Sequence, residues 1–551
     1  CSHTLRPALS ALNENPRRRS SKDSAILMFL KRNSAGQYFE GSNSLRDSAD
    51  DDVLLAEAPA GKFIGVYGTD GMRIWKGIRY GQAPVNELRF KASVLAEPIP
   101  DTYTADSQPK YCVGAVTPMI HTSEDCLYLS ITAPSEPAES SSGYAVMIYF
   151  FGGGFMSNYG ANNPLFDMTY FAKNEVVGVN VNTRLGAFGF LTSSSLPGNA
   201  GFLDQRLAMQ WVQQNIHAFG GDPTRVTIMG QSSGAQCVGA HLASPGSNGL
   251  YHQAIMESDY LSVPFQTRNE AETVASYVFA AVNCNMDDLD CIRDVEWGDI
   301  YAAYKHIPPQ QFPFLPIVEI DGEIPLQPYA ALKSGAFATV PMLVGFNKQD
   351  GAYYEYSMYT TPLDYNSYQT SLEAKYGSDI VPQINQIYPW SSGNTSDGRV
   401  LAYEIFTDYG CACPTLDVFK DAVVSHGKGP VFMYQYSYGL PNRGSFKPCD
   451  DIACHGDELI MVFGSLNDYS FCHYNATPEQ LAFSAKMNGV WSNFIKTGNP
   501  NSESSDTSSS AFIPYGADGV LLDLNIDGFQ QITYARKEQC EYWDTYGTYP
   551  Q

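Results

Sequence analysis

Ser232 stands at the centre of Gly230-Gln231-Ser232-Ser233-Gly234, a G-x-S-x-G in which a serine can attack a carbonyl. A serine hydroxyl is a weak nucleophile at neutral pH, so it needs a base, and the base needs a group to orient it. His455, in Cys454-His455-Gly456-Asp457-Glu458, offers the imidazole. Asp350, in Asn347-Lys348-Gln349-Asp350-Gly351, offers the carboxylate, and Glu355 a little further on is a second one. The chain order serine, acid, histidine is one in which such trios occur. The negative charge that develops on the attacked carbonyl needs donors as well. Gly152-Gly153-Gly154-Phe155 can aim uncovered backbone N–H groups at it, and the residue after the nucleophile, Ser233, adds another. Each such donor is typically worth ~10²–10³ in rate. Taken singly these signals are weak, because a Gly/Ser turn also fits the pentapeptide and the chain holds 58 acidic residues and 9 histidines.

This chemistry requires four distant segments to meet, and the surrounding pattern supplies elements that can bring them together. Tyr144 to Phe151 is a nearly continuous apolar run of strand length, and Val176 to Val181, Val226 to Met229, Met342 to Phe346 and Val431 to Tyr436 are similar. Such runs suit strands buried on both faces of a parallel or mixed sheet. Between them lie helical patterns such as Leu203 to Ile216, with Leu203, Leu207, Trp211 and Ile216 near one face. Strand-then-helix alternation predicts a doubly wound α/β fold, whose active residues gather beyond the carboxyl ends of strands. Gly152, Ser232, Asp350 and His455 all follow such ends. At Ser232 the strand must turn sharply into a helix, and Gly230 and Gly234 relieve the crowding.

Composition limits the remaining possibilities. The 551 residues would ordinarily divide into three or four domains. A hydrophobic content of 44% and an aromatic content of 13% exclude a wholly disordered chain. A net charge of −24 repels nucleic acid and anionic lipid, and no basic stripe offsets it. No apolar run approaches the roughly 18 residues a membrane helix needs; Ala25 to Leu30 is the nearest to one. The C-terminal Tyr542 to Gln551 is polar and aromatic rather than an apolar anchor signal. The start at Cys1 suggests that any signal peptide has been removed. Twelve cysteines, several close in sequence (Cys112 and Cys126, Cys284 and Cys291, Cys449 and Cys454), suit an oxidising compartment. Sequons at Asn394 and Asn475 agree, the second weakened by Pro478. The expectation is a secreted or lumenal glycoprotein. Cys449, Cys454 and His455 could also be read as metal ligands, but no second cysteine pair lies at zinc spacing, so neither a metal nor a cofactor is expected. Residues 1–58, with Arg17-Arg18-Arg19 and Asp50-Asp51-Asp52, read as an N-terminal extension or pro-segment, poorly ordered in part. Ser135 to Ser142 and Ser502 to Ser510 read as surface loops.

Longer motifs resolve the ambiguity. Ser123-Glu124-Asp125-Cys126-Leu127-Tyr128-Leu129, Asn182 to Phe190, Gly198 to Gln205 and Phe219-Gly220-Gly221-Asp222-Pro223 lead up to the Ser232 pentapeptide. Trp491-Ser492-Asn493-Phe494 and Gly498-Asn499-Pro500-Asn501 follow near the end. In these stretches the chain resembles the type-B carboxylesterase/cholinesterase family of α/β-hydrolases, from about residue 61 to 545. The resemblance implies one large domain over 59–551, built on a large, mostly parallel twisted sheet flanked by helices. It also implies Ser232 as nucleophile, His455 as base, Asp350 as the acid that holds His455, and Gly153, Gly154 and Ser233 as the oxyanion hole. Disulfides Cys112–Cys126, Cys284–Cys291 and Cys413–Cys540 are implied as well. A Cys449–Cys454 bond is a further expectation from their proximity, and Cys237 is expected to be a buried thiol.

Departures from the family pattern narrow the substrate. The family usually has Glu and Ala on either side of the serine, where this chain has Gln231 and Ser233. A neutral Gln231 removes a carboxylate that would favour a cationic substrate. The acid is more often Glu; Asp350 is a methylene shorter, so His455 must approach or the loop must shift. Residues 113–125 between the first two paired cysteines contain no Trp and are too few for a lid, which disfavours both choline specificity and lid-gated lipolysis. The expected activity is hydrolysis of a small neutral ester with an apolar part. A lipase or sterol esterase, and a non-catalytic cholinesterase-like adhesion protein, are the alternatives.

Overall fold

The computed structural model describes residues 54–550 apart from 115–120, 158–159, 161–162, 287, 309–311, 393–395, 443–445, 467–473, 502–509, 535 and 547–548. The apolar runs form the middle of an 11-stranded sheet. Its strands are β1 (Val66–Tyr67), β2 (Arg73–Arg79), β3 (Tyr128–Ala133), β4 (Tyr144–Phe150), β5 (Val176–Val181), β6 (Gly221–Gln231), β7 (Gln253–Glu257), β8 (Met342–Asn347), β9 (Val431–Tyr436), β10 (Val520–Asn525) and β11 (Gly528–Thr533). Across the sheet the order is β11-β10-β9-β8-β7-β6-β4-β5-β3-β2-β1. From β10 to β5 every neighbouring pair is parallel. The pairs at both margins are antiparallel. All of β5, β8 and β9 is buried, as continuous apolar runs require when helices cover both faces.

Alternate residues of β4 serve opposite faces. Val146, Ile148 and Phe150 pack with Trp211 and Val212 of helix α1 (Ala200–Asn215) and with Val238 and Leu242 of α2 (Ser233–Ala243). Ala145, Met147 and Tyr149 pack in a second cluster with residues of a long helix, Pro478–Thr497, including Trp491 and Phe494. Helix α1 begins ahead of the expected Leu203, because Gly198 and Gly201 read as breakers yet accompany a tight entry at Asn199, which has φ 56. It is also buried nearly all round rather than on one stripe. Its Asp204 forms a buried bidentate pair with Arg184, at 2.8 and 2.6 Å.

Order also begins earlier than residue 59. Leu55–Ala58 pairs antiparallel with Gly61–Ile64, Ala56 is fully buried, and the Leu54 carbonyl accepts from Trp75 Nε1 at 3.0 Å. This short strand lies directly behind the acidic run Asp50 to Asp52, and that charge hides it in the sequence. The rest of the expected extension, 1–53, lies outside the described residues. Among the described residues four disulfides are formed: Cys112–Cys126, Cys284–Cys291, Cys413–Cys540 and Cys449–Cys454. Cys237 and Cys411 are buried thiols, and burial pushes that of Cys237 up to about 12. Cys1, Cys472 and Asn394 lie outside the described residues, whereas Asn475 is exposed. Among the described residues no helix is long and apolar enough to cross a membrane.

Candidate active site

Strand β6 passes into α2 through Ser232, whose φ of 59 and ψ of −129 place a non-glycine residue in a strained region. The surroundings hold it there. The Ser232 N–H donates to the Glu257 carbonyl at 3.0 Å, and its own carbonyl accepts from the Gln236 N–H at 3.0 Å. A Cβ at position 230 would collide with the Gly234 carbonyl, and one at 234 with the Phe150 carbonyl. The two glycines are therefore demanded by close backbone approach.

Asp350 sits in the turn after β8, fully buried, with both oxygens engaged. Oδ1 accepts from His455 Nδ1 at 2.6 Å and from the Tyr260 hydroxyl at 2.8 Å. Oδ2 accepts from the Ser258 hydroxyl at 2.6 Å and the Asn347 N–H at 2.9 Å. Burial opposes ionisation of this carboxyl, but its pairing with His455, with hydrogen bonds from Ser258 and Asn347, outweighs it and holds the pKa below the usual value. The shorter side chain thus reaches the imidazole directly. Glu355 does not compete, because it points away into an ion pair with Lys375.

The loop carrying His455 is fastened to the loop carrying Asp350. The Gln349 N–H donates to the Ala453 carbonyl at 3.0 Å, and the Ala453 N–H donates to Gln349 Oε1 at 3.1 Å. Asn347 Nδ2 donates to the Cys454 carbonyl at 2.7 Å. The Cys449–Cys454 disulfide closes the segment before His455, so these cysteines do not form a metal site. Asn347 also donates to Glu458, which lies buried behind the site. Burial, followed by the charge of Asp350, raises the Glu458 carboxyl to about 8, and burial also raises that of Glu257 beside it.

Ser232 and His455 meet around shared neighbours. The Tyr354 ring lies 5.2 Å from the imidazole and lines the same cavity as Ser232. The Tyr260 ring lies edge-on to His455, also at 5.2 Å. Gln231 Nε2 sits 3.1 Å from His455 Nε2. Among the described residues no hydrogen bond joins Ser232 Oγ directly to His455; catalytic hydrogen bonds are often long until substrate is bound.

The glycine segment leaves β4 and curls over the serine. Gly153 has φ 122 and Gly154 φ 62, and a Cβ on Gly154 would lie 2.6 Å from the Phe312 ring. Among the described residues the N–H groups of Gly153, Gly154 and Ser233 donate to no protein acceptor. The Ser233 hydroxyl accepts from the Phe155 N–H at 3.3 Å, so it ties the glycine loop to the elbow. A narrow cavity opens here, lined by Gly154, Phe155, Ser232, Ser233, Gln236, Tyr260, Val263, Phe312, Tyr354 and Phe406. No side chain in that lining carries a formal charge.

Comparison with known proteins decides the kinship. The model of the carboxylesterase family matches residues 54–543. The chain belongs to the carboxylesterase family. Among curated relatives it is 34% identical over 495 residues to the crystal protein of Dictyostelium discoideum, covering 86% of this chain and 87% of that one. It is 30% identical over 519 residues to an acetylcholinesterase of Bungarus fasciatus, covering 85% and 82%. A solved PNB esterase superposes with a TM-score of 0.75 at 28% identity, over 89% of this chain and 99% of that one. The fold is therefore that of the α/β-hydrolases, and the chemistry common to this carboxylesterase family is carboxylic-ester hydrolysis.

The site contains more than the motifs announced. Ser258, Tyr260, Asn347, Gln349 and Tyr354 position the central residues, yet none belongs to a recognisable pattern. The position of Ser258 and Tyr260 just past the end of β7, the strand between those of Ser232 and Asp350, is the signal that could have drawn attention to them.

Proposed function

We propose that this carboxylesterase cleaves small neutral esters through an acyl-enzyme on Ser232. His455 takes the serine proton as Ser232 attacks the ester carbonyl, and Asp350 stabilises the imidazolium that forms. The N–H groups of Gly153, Gly154 and Ser233 receive the oxyanion. The alcohol departs with the proton from His455, and water then releases the acid by the same path. No cofactor enters this scheme. The observation that carries it is the 2.6 Å Asp350–His455 bond set beside a strained Ser232, which shares a cavity with Gly154 and Ser233, whose N–H groups are uncommitted. The uncharged, largely aromatic lining favours a substrate with an apolar part and no cationic group. Four disulfides suit a secreted or lumenal enzyme acting on such esters.

A fluorophosphonate probe tests the assignment. Intact protein should take up one label, and Ser232→Ala should abolish both label and turnover. Unlabelled native protein would instead support a non-catalytic interaction protein. Profiling p-nitrophenyl esters of increasing acyl length then separates esterase from lipase, since a steep rise in rate above the micelle threshold would favour the lipase.

A further inference from the structure

We propose that Gln231 is a positioning residue that holds His455 as a neutral base in the resting enzyme, with its Nε2 lone pair covered until substrate arrives. The inference rests on the triad reading above and adds a residue to it. His455 Nδ1 faces Asp350 Oδ1 at 2.6 Å, and an ionised carboxylate can only accept, so the Nδ1 proton points there. That leaves Nε2 of the neutral ring as an acceptor. The group presented to it is an amide nitrogen, Gln231 Nε2, at 3.1 Å, and an amide nitrogen can only donate. The two contacts therefore specify the same tautomer from opposite sides of the ring. A protonated Nε2 would meet the Gln231 NH₂ donor to donor, so the contact disfavours the imidazolium.

The same lone pair must accept the proton of Ser232, and it cannot serve two donors equally well. In the structure Gln231 occupies it, and among the described residues no hydrogen bond joins Ser232 Oγ to His455. Gln231 is the last residue of β6 and only 5% exposed, so its amide is held by the strand that also delivers the nucleophile. Seating an ester in the cavity must shift the imidazole from the amide to the serine. Three elements besides β6 press on His455: the turn after β7 with Tyr260, the turn after β8 with Asp350, and the following helix with Tyr354. Glu458 and Asp457 lie on its own loop, with Glu257 and the Cys411 thiol behind. Of all these, Gln231 is the one placed at Nε2 as a hydrogen-bonding partner.

The test is the pH dependence of kcat/KM for a p-nitrophenyl ester, measured on the native enzyme, Gln231→Leu and Gln231→Glu, with thermal unfolding followed in parallel. The acidic limb reports protonation of the base in the free enzyme. Removing the donor in Gln231→Leu should move that limb upward by about half to one pH unit. In Gln231→Glu a carboxylate replaces the donor and favours the imidazolium, so the limb should rise further, by about one unit or more. The order native, Leu, Glu supports the assignment. A Leu limb at or below the native one would overturn it, since the amide oxygen rather than the nitrogen would then face the ring. If Gln231→Leu does not fold, an unmoved limb in Gln231→Glu overturns it equally. Fluorophosphonate labelling of the same preparations keeps the two readings apart. Native protein that does not label at Ser232 refutes the triad, whereas labelled protein whose limb ignores position 231 refutes only the role of Gln231.

Discussion

Replacing Asp350 by Asn changes one atom and has a consequence the hydrogen bonds dictate. Oδ2 accepts from the Asn347 N–H at 2.9 Å, a main-chain donor that cannot turn away. It also accepts from Ser258 at 2.6 Å. The amide oxygen of the new side chain must therefore take the Oδ2 place, which puts its NH₂ where Oδ1 stood, facing His455 Nδ1 and the Tyr260 hydroxyl. Tyr260 can rotate its proton and accept. His455 can relieve the clash only by becoming an acceptor at Nδ1, and its proton then moves to Nε2. A ring protonated at Nε2 has no lone pair for Ser232. Loss of the correct tautomer costs about 10⁴ in kcat in serine hydrolases of this design, equivalent to about 5.4 kcal/mol of transition-state stabilisation. Steady-state turnover of a p-nitrophenyl ester, corrected for folded protein by thermal unfolding, measures it. Turnover within tenfold of the native enzyme, in a variant that melts normally, would show that Asp350 does not orient His455 and would refute the tautomer reasoning.

Other expectations follow from the same geometry. In Ser233→Ala the Phe155 N–H loses its acceptor, so kcat should fall about fivefold, a cost of about 1 kcal/mol, with KM little changed; a change confined to KM would contradict the link to the oxyanion loop. The disulfides should divide their labour. Opening Cys413–Cys540, which spans a sequence separation of 127, should lower unfolding free energy by about 5 kcal/mol. Opening Cys449–Cys454, with a separation of 5, should cost about 2 kcal/mol but reduce kcat more, because it frees the His455 loop. Paired Cys→Ser variants in urea melts and ester assays would reveal the opposite ranking if it held. Glu458 is held up to about 8 in the folded protein against an ordinary value of 4.5. The folded state thus binds a proton that the unfolded chain releases between those values, so stability is complete below about pH 4.5 and declines as pH rises toward 8. Glu458→Gln, which keeps an acceptor for Asn347, should flatten that decline in a pH series of thermal melts; an unchanged slope would assign it to other groups.

What could be read from the sequence depended on range. Ser232, Gly152 and Gly153 announce themselves because the requirement for small residues around them is local, imposed by backbone atoms within a few positions or in an adjacent strand. The strands Val176–Val181 and Val431–Tyr436 coincide with their apolar runs because burial on both faces keeps them predominantly apolar, each with a single buried polar residue, Asn180 and Gln435. Asp350 and His455 were legible through chain order and resemblance, and the distance of His455 from the end of its strand kept it from a purely local reading. Tyr354, Phe312 and Phe406 come from separate segments, and nothing in their neighbourhoods says that they share one cavity. The early part of β6, Gly221 to Arg225, was obscured by Asp222-Pro223, which breaks the β pattern and coincides with a shift in strand register. The contact between Gln231 and His455 was out of reach for the same reason, since it joins side chains far apart in sequence. The neutrality of Gln231 was visible; the partner it neutrally contacts was not.

The hydrogen bonds that tie Asn347 and Gln349 to Ala453 and Cys454 join two loops more than a hundred residues apart in sequence into one part. The proposed acid and base are thereby held in one piece, separate from the segment that carries the serine. For recombination among relatives this defines the piece that must be exchanged. A chimera that takes the 347–351 turn from another carboxylesterase and keeps the native 449–458 loop severs the connection in the middle. One that exchanges both transfers the Asp350–His455 half of the proposed site intact, and leaves the elbow and the glycine loop, themselves coupled through Ser233, as the other interchangeable half.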